Sequence, residues 1–206
     1  MTTLRLDAND PAAIAAVAER LRRGLPVVLP TDTVYGVGVL PFDAAAIDRL
    51  YAVKGRPAGK GLPVLLGDVA DVAYVAGIIP PSAAALMAHF WPGPLTLVVP
   101  RSADLPANLS PDDTVAVRVP DHAVARALIR AAGGAVAASS ANLSDQPPAL
   151  TADEVLAALG GRVAAVLDDG PSPGGVASTV VDCTVDPPVV RRVGPLTAAQ
   201  LGLEAE

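Results

Sequence analysis

Four polar segments hold the residues in this 206-residue chain whose types and spacing can do chemistry. The most highly charged is Lys54-Gly55-Arg56-Pro57-Ala58-Gly59-Lys60, three cations within seven residues. Lysine is a point charge and arginine a planar fork, so the set suits a polyphosphate. A plainer alternative is a helix C-terminus whose cations offset the macrodipole, each contributing about 0.3–1 kcal/mol. That alternative accounts for Lys54 better than for Lys60. The fifteen basic residues are thirteen arginines and only these two lysines, which suggests that lysine itself is wanted here. The segment is neither a Walker A loop nor a G-x-G-x-x-G fingerprint.

The other three are richer in hydroxyls than in charge. Residues 30–38, Pro-Thr-Asp-Thr-Val-Tyr-Gly-Val-Gly, follow an apolar run. Their threonines and amides can bind carboxylates or phosphates, with the glycines allowing close approach, or they simply close a strand. Ser139-Ser140-Ala141-Asn142-Leu143-Ser144 can read a ligand without filling its pocket, although such runs are also ordinary loops. The last segment couples Gly174-Gly175-Val176-Ala177-Ser178-Thr179 to Arg191-Arg192-Val193-Gly194-Pro195. Consecutive arginines on a strand point to opposite faces, so one of them reaches the site.

What the chain lacks also shapes the chemistry. With two histidines and one cysteine it offers little for zinc, and nothing resembles a nucleophile elbow. His89 reads as a helix-surface or core residue, His122 as lying near a helix start, Trp91 as a packed corner and Cys183 as a small buried hydrophobe.

These segments need a rigid frame, and the apolar pattern supplies one. Helical spacing appears from Pro11 to Gly24, capped by Asn9 or Asp10, and over 43–53, 70–76, 82–89, 122–132 and 151–159. Thr151 three residues before Glu154 reads as a capping box. Short buried strands fit 26–29, 62–66, 95–99, 114–119, 136–138, 163–167, 179–182 and 189–193. This alternation indicates an α/β layered domain with a mixed, twisted sheet and flanking helices, each polar segment falling at a strand end.

No apolar run reaches the roughly 18–20 residues of a bilayer span, and no signal-peptide pattern opens the chain. One cysteine permits no internal disulfide, which fits the cytoplasm. The net charge of −6 argues against nucleic acid as the main partner.

Taken in order, Pro30–Gly38, 54–57, 91–96, 114–120, 140–144, 178–182 and 192–195 resemble the threonylcarbamoyl-AMP synthase family, whose shared unit is the YrdC-like domain. The likeness runs from about residue 10 to 200 of a single domain over 1–206, and is to the short form without an extra C-terminal domain. It implies a nucleotidyltransferase with a concave, positively lined cavity that joins L-threonine, bicarbonate and ATP, with Mg2+, and releases pyrophosphate. The product would pass to a tRNA threonylcarbamoyltransferase complex. By the same resemblance Thr33, Arg118, Ser140 and Ser178 would contact threonine. Lys54, Arg56, Lys60, Thr114, Asn142 and Arg192 would face ATP, with Lys54 and Arg56 central to catalysis and no protein metal ligand. Three positions depart from the family pattern: Leu65 where some members carry histidine, Asp145 in place of a glycine, and Asp32 where many have glutamate. Leu65 keeps a related carbamoyl- or acyl-adenylate-forming enzyme open, and a double-stranded RNA-binding protein is the reading from another class.

Overall fold

The computed structural model describes residues 2–55, 57 and 60–203. Among these residues ten strands form one mixed sheet in the order β1-β8-β2-β3-β7-β4-β6-β5-β9-β10. They are β1 (Leu4–Asp7), β2 (Val27–Leu29), β3 (Gly36–Val39), β4 (Val64–Leu66), β5 (Leu95–Pro100), β6 (Thr114–Arg118), β7 (Ala135–Ser140), β8 (Ala165–Asp168), β9 (Thr179–Asp182) and β10 (Val189–Arg192). Among the described residues six α-helices flank them: α1 (Ala13–Arg22), α2 (Ala44–Lys54), α3 (Val72–Val75), α4 (Pro81–Phe90), α5 (Ala123–Ala132) and α6 (Ala152–Leu159).

Period-two alternation decides what each face of the sheet carries. Leu95, Leu97 and Val99 of β5 and Val115 and Val117 of β6 enter a large core shared with Ile47 and Leu50 of α2, Leu86 of α4 and Val155 of α6. On the opposite face, α1 and α5 lay Val17, Leu21, Leu128 and Ile129 over Val27, Leu29, Val136, Ala138 and Leu167. That second core includes no residue of β5, β6, β9 or β10 among the described residues. Among the described residues, the part of this face formed by those four strands is therefore left without a packed helical core. Thr96, Val98, Ala116 and Arg118, which alternate with the buried apolar positions, line a cavity there.

The helix ends follow local chemistry. Asp43 caps α2 by accepting the Ala46 amide at 3.0 Å, and Gly55, at φ 59°, ends it in the left-handed region. Thr151 accepts the Glu154 amide, while Glu154 turns back to the Leu150 amide rather than completing the box on Thr151. His122 caps α5 and Cys183 is buried, its thiol pushed up to about 11 by desolvation. Trp91 donates from its indole to the Leu95 carbonyl at 2.7 Å, forming the packed corner. The helix anticipated from Pro11 begins at Ala13, and the stretch near 70–76 divides into a 3-10 turn and α3. No helix among the described residues is long and apolar enough to cross a membrane.

Two strands lie outside the sequence expectation. β1 (Leu-Arg-Leu-Asp) is an exposed edge that pairs in parallel with β8. β3 is built from Gly36-Val37-Gly38-Val39, read above as part of a ligand loop. It pairs with β2 on one side and β7 on the other. A Cβ on Gly38 would meet Val136 Cγ1 at 2.6 Å and the Ala137 carbonyl at 2.9 Å. That glycine serves strand packing, and residues 30–35 form the turn between β2 and β3.

Candidate active site

A cavity of about 470 Å3 lies over this part of the sheet and extends to β3, β4 and β7. Six of the ten residues singled out by sequence line it: Thr33, Thr114, Arg118, Ser140, Ser178 and Arg192. They come from the 30–35 turn, β6, β7, the 170s loop and β10, so the sheet joins what the sequence spreads over 160 positions. Among the described lining residues, Arg118 and Arg192 are the only charged ones.

Arg118 is buried and tightly held. Its Nε donates to the Gly93 carbonyl at 2.9 Å, Nη1 to Thr33 Oγ1 at 2.9 Å and Nη2 to Asp32 Oδ1 at 2.5 Å. A guanidinium has five N–H donors, so one on each terminal nitrogen is left for a ligand. Burial pulls the Arg118 pKa down, and the Asp32 carboxylate opposes that shift.

Arg192 donates from Nε and Nη2 to the Ser178 carbonyl at 3.0 and 2.9 Å, while Ser178 Oγ and Thr96 Oγ1 lie 2.7 Å apart. Burial first, and the Arg118 charge second, hold Arg192 below the ordinary arginine range. An anion between the two guanidiniums would relieve their repulsion. Arg191 is not among the lining residues and pairs with Asp182 at 2.9 Å, at the point where the β9–β10 register shifts between Val190 and Arg192. Gly194 lets this strand come close: a Cβ there would meet the Ala177 carbonyl at 2.4 Å.

Lys54, Asn142 and Lys60 are not among the lining residues. Lys54 is almost fully buried and donates to the Ser140 carbonyl and, at 2.8 Å, to that of Asn142. It thus stands directly behind a cavity wall residue. Asn142 donates to the Leu143 and Gln146 carbonyls at 2.7 Å, and its buried Oδ1 has no hydrogen-bond partner among the described residues. Lys60 is exposed, 3.9 Å from Asp145. Arg56 lies outside the described residues.

The three departures now have positions. Leu65 pairs in register with Arg118 and lines the cavity beside it. Asp145 sits at φ 65°, the left-handed region that glycine enters without strain and aspartate tolerates. Asp32 is the partner of Arg118. Sequence reasoning named Thr31 only among the threonines of its turn and missed Thr96 as a lining residue. Thr96 carried a signal, being a lone hydroxyl at an alternate position of the otherwise apolar Leu95–Val99 run.

The family model described as Telomere recombination (Sua5/YciO/YrdC) matches residues 19–194. The chain belongs to this family. A Sua5/YciO/YrdC relative from Bacillus subtilis, named threonylcarbamoyl-AMP synthase, is 42% identical over 201 residues, which is 97% of this chain and 58% of that protein. Its Pyrococcus abyssi namesake is 39% identical over 91% of this chain and 56% of its own length. The chain thus spans a little under three-fifths of these two relatives. A Mycobacterium tuberculosis relative, 38% identical, is covered over 97% of its length. Among solved structures, P. abyssi Sua5 complexed with L-threonine superposes with a TM-score of 0.91 at 36% identity, over 98% of this chain and 60% of that one. E. coli YciO gives 0.86 at 25% identity, over 98% and 100%.

Proposed function

We propose that this chain is an L-threonylcarbamoyladenylate synthase. It joins L-threonine, bicarbonate-derived carbon dioxide and Mg-ATP into threonylcarbamoyl-AMP and pyrophosphate. The observation that carries the reading is the pair of mutually repelling guanidiniums, Arg118 and Arg192, in one hydroxyl-lined cavity. The named function of the relatives and the threonine complex of Sua5 support it.

In this reading the Arg118 fork takes the threonine carboxylate, and Thr33, Ser140 and Ser178 bond its remaining polar atoms. Thr114 and Asn142 face the nucleotide, and Arg192 the phosphates. The threonine nitrogen adds to carbon dioxide and loses a proton, giving a carbamate. A carbamate oxygen then bonds to the α-phosphorus as the bond from that phosphorus to the bridging oxygen breaks and pyrophosphate leaves. No protein nucleophile takes part, so catalysis is positioning and charge neutralisation. Among the described residues no group of three or more His, Cys, Asp or Glu could hold a metal. In this reading Mg2+ enters with ATP as part of the substrate. Lys54 steadies the Ser140 wall and, with Arg56 and Lys60, lends positive charge to the phosphate side. The product is handed to a tRNA threonylcarbamoyltransferase complex in the cytoplasm.

Pyrophosphate release from ATP, followed with each substrate omitted in turn, tests this. Release is expected only when threonine, bicarbonate and Mg2+ are all present. Equal release without threonine would overturn the assignment and favour a different adenylate.

A further inference from the structure

Thr179 opens β9 between Ser178 and Val180, which line the cavity, yet it is fully buried and not among the lining residues. A hydroxyl at such a position costs stability unless its bonds are made within the protein. Here all of them are. Thr179 Oγ1 lies 2.7 Å from the Leu196 carbonyl oxygen, which cannot donate, so its one proton is committed there. Its two lone pairs accept the Gly194 and Leu196 amides at 3.0 Å each. Every one of these partners belongs to residues 194–196, the stretch that follows Arg192. The fit is close: a Cβ on Gly194 would meet the Thr179 amide nitrogen at 2.5 Å and the Ser178 carbonyl carbon at 2.6 Å. Ahead of Arg192 the chain is held less firmly, because β10 is the last strand of the sheet and its pairing with β9 shifts register between Val190 and Arg192.

We infer that Thr179 is a positioning residue: from behind the cavity wall it clamps residues 194–196 and so fixes where Arg192 presents its guanidinium. The clamp holds the backbone just past Arg192, while the guanidinium itself is tied to the Ser178 carbonyl. Loosening the clamp frees the 194–196 stretch and not β9, since the Thr179 amide still donates to the Pro94 carbonyl at 3.0 Å and the ladder to β5 is kept. Arg118 is untouched, being held by Gly93, Thr33 and Asp32. The effect is therefore confined to the Arg192 end of the cavity. The inference deepens the functional reading above and rests on it for the assignment of Arg192 to the phosphates.

The test is calorimetric binding of Mg-ATP and, separately, of L-threonine to variants shown by thermal melting to be folded. Thr179→Val keeps the shape and removes the bonds to 194–196. It is expected to weaken Mg-ATP binding about tenfold, the scale of one hydrogen bond, with threonine binding changed less than about twofold. Thr179→Ser, which keeps the hydroxyl, restores Mg-ATP affinity. In an Arg192→Ala background Thr179→Val costs no further Mg-ATP affinity, because two residues acting through one group are not additive. A merely structural role would add its loss in either background. Wild-type Mg-ATP affinity in folded Thr179→Val, equal losses for both ligands, no rescue by serine, or additive losses with Arg192→Ala would each overturn the inference. If the valine variant does not fold, Thr179→Cys, whose thiol bonds only weakly, is read in the same way. Wild-type Mg-ATP affinity in Arg192→Ala alone would overturn the phosphate assignment and the clamp's purpose with it, whereas a failed clamp leaves the loss in Arg192→Ala in place.

Discussion

Arg118→Lys is expected to fold and to bind L-threonine at least about thirtyfold more weakly, the equivalent of about 2 kcal/mol at a buried charged contact. The guanidinium serves three acceptors at once, the Gly93 carbonyl, Thr33 Oγ1 and Asp32 Oδ1. A lysine ammonium supplies charge but not the planar fork that keeps further N–H groups for a ligand. Arg118→Ala goes further, because it strands the Asp32 carboxylate, whose side chain is only 12% exposed. Breaking such a pair costs about 3–5 kcal/mol, so a marked fall in Tm is expected. Adding Asp32→Asn should recover much of that stability without recovering affinity, which separates the structural from the binding role. Thermal melts and calorimetry on the three variants check both halves. Near-wild-type threonine binding by Arg118→Lys would exclude the fork as carboxylate receptor.

Lys54→Met is expected to lower turnover by roughly 10²-fold, the scale of losing one preorganised charge contact. The aliphatic stem is kept and the ammonium removed, so the Ser140 and Asn142 carbonyls lose a donor. Each buried group left unsatisfied costs about 1–3 kcal/mol. Tm should therefore fall while the sheet still forms. Steady-state pyrophosphate release read beside thermal melting distinguishes the outcomes. Unchanged turnover in a folded variant would remove Lys54 from the machinery.

The behaviour of Lys54 also shows where sequence reasoning reached its limit. Its proximity in sequence to Arg56 and Lys60 invited a common anion clamp. Yet Ile47, Leu50, Tyr51 and Lys54 occupy positions i, i+3, i+4 and i+7, the spacing of one helix face, and all four are buried. Heeding that spacing would have turned Lys54 inward. The opposite confusion befell Gly36 and Gly38, whose glycines suggested a loop. No local pattern shows that β3 lies between β2 and β7, where Gly38 accommodates Val136. The exposed edge β1 was unreadable because Leu-Arg-Leu-Asp has too little apolar content to mark a strand.

What was legible is equally specific. The strands that floor the cavity were placed at 95–99 and 114–119 from their apolar residues, and Arg192, named through the family resemblance, reaches the cavity. Chemistry-bearing residue types were visible in the chain. Their pairings, such as Asp32 with Arg118 and Thr96 with Ser178, arise from contacts more than eighty positions apart, which only the assembled sheet provides.

A crystal structure with L-threonine and a non-hydrolysable ATP analogue tests the central claim most directly. The account predicts the amino-acid carboxylate within hydrogen-bonding distance of the Arg118 guanidinium and the triphosphate on the Arg192 side of the same cavity. Threonine seated with its carboxylate away from Arg118, or either ligand bound elsewhere on the protein, would contradict it.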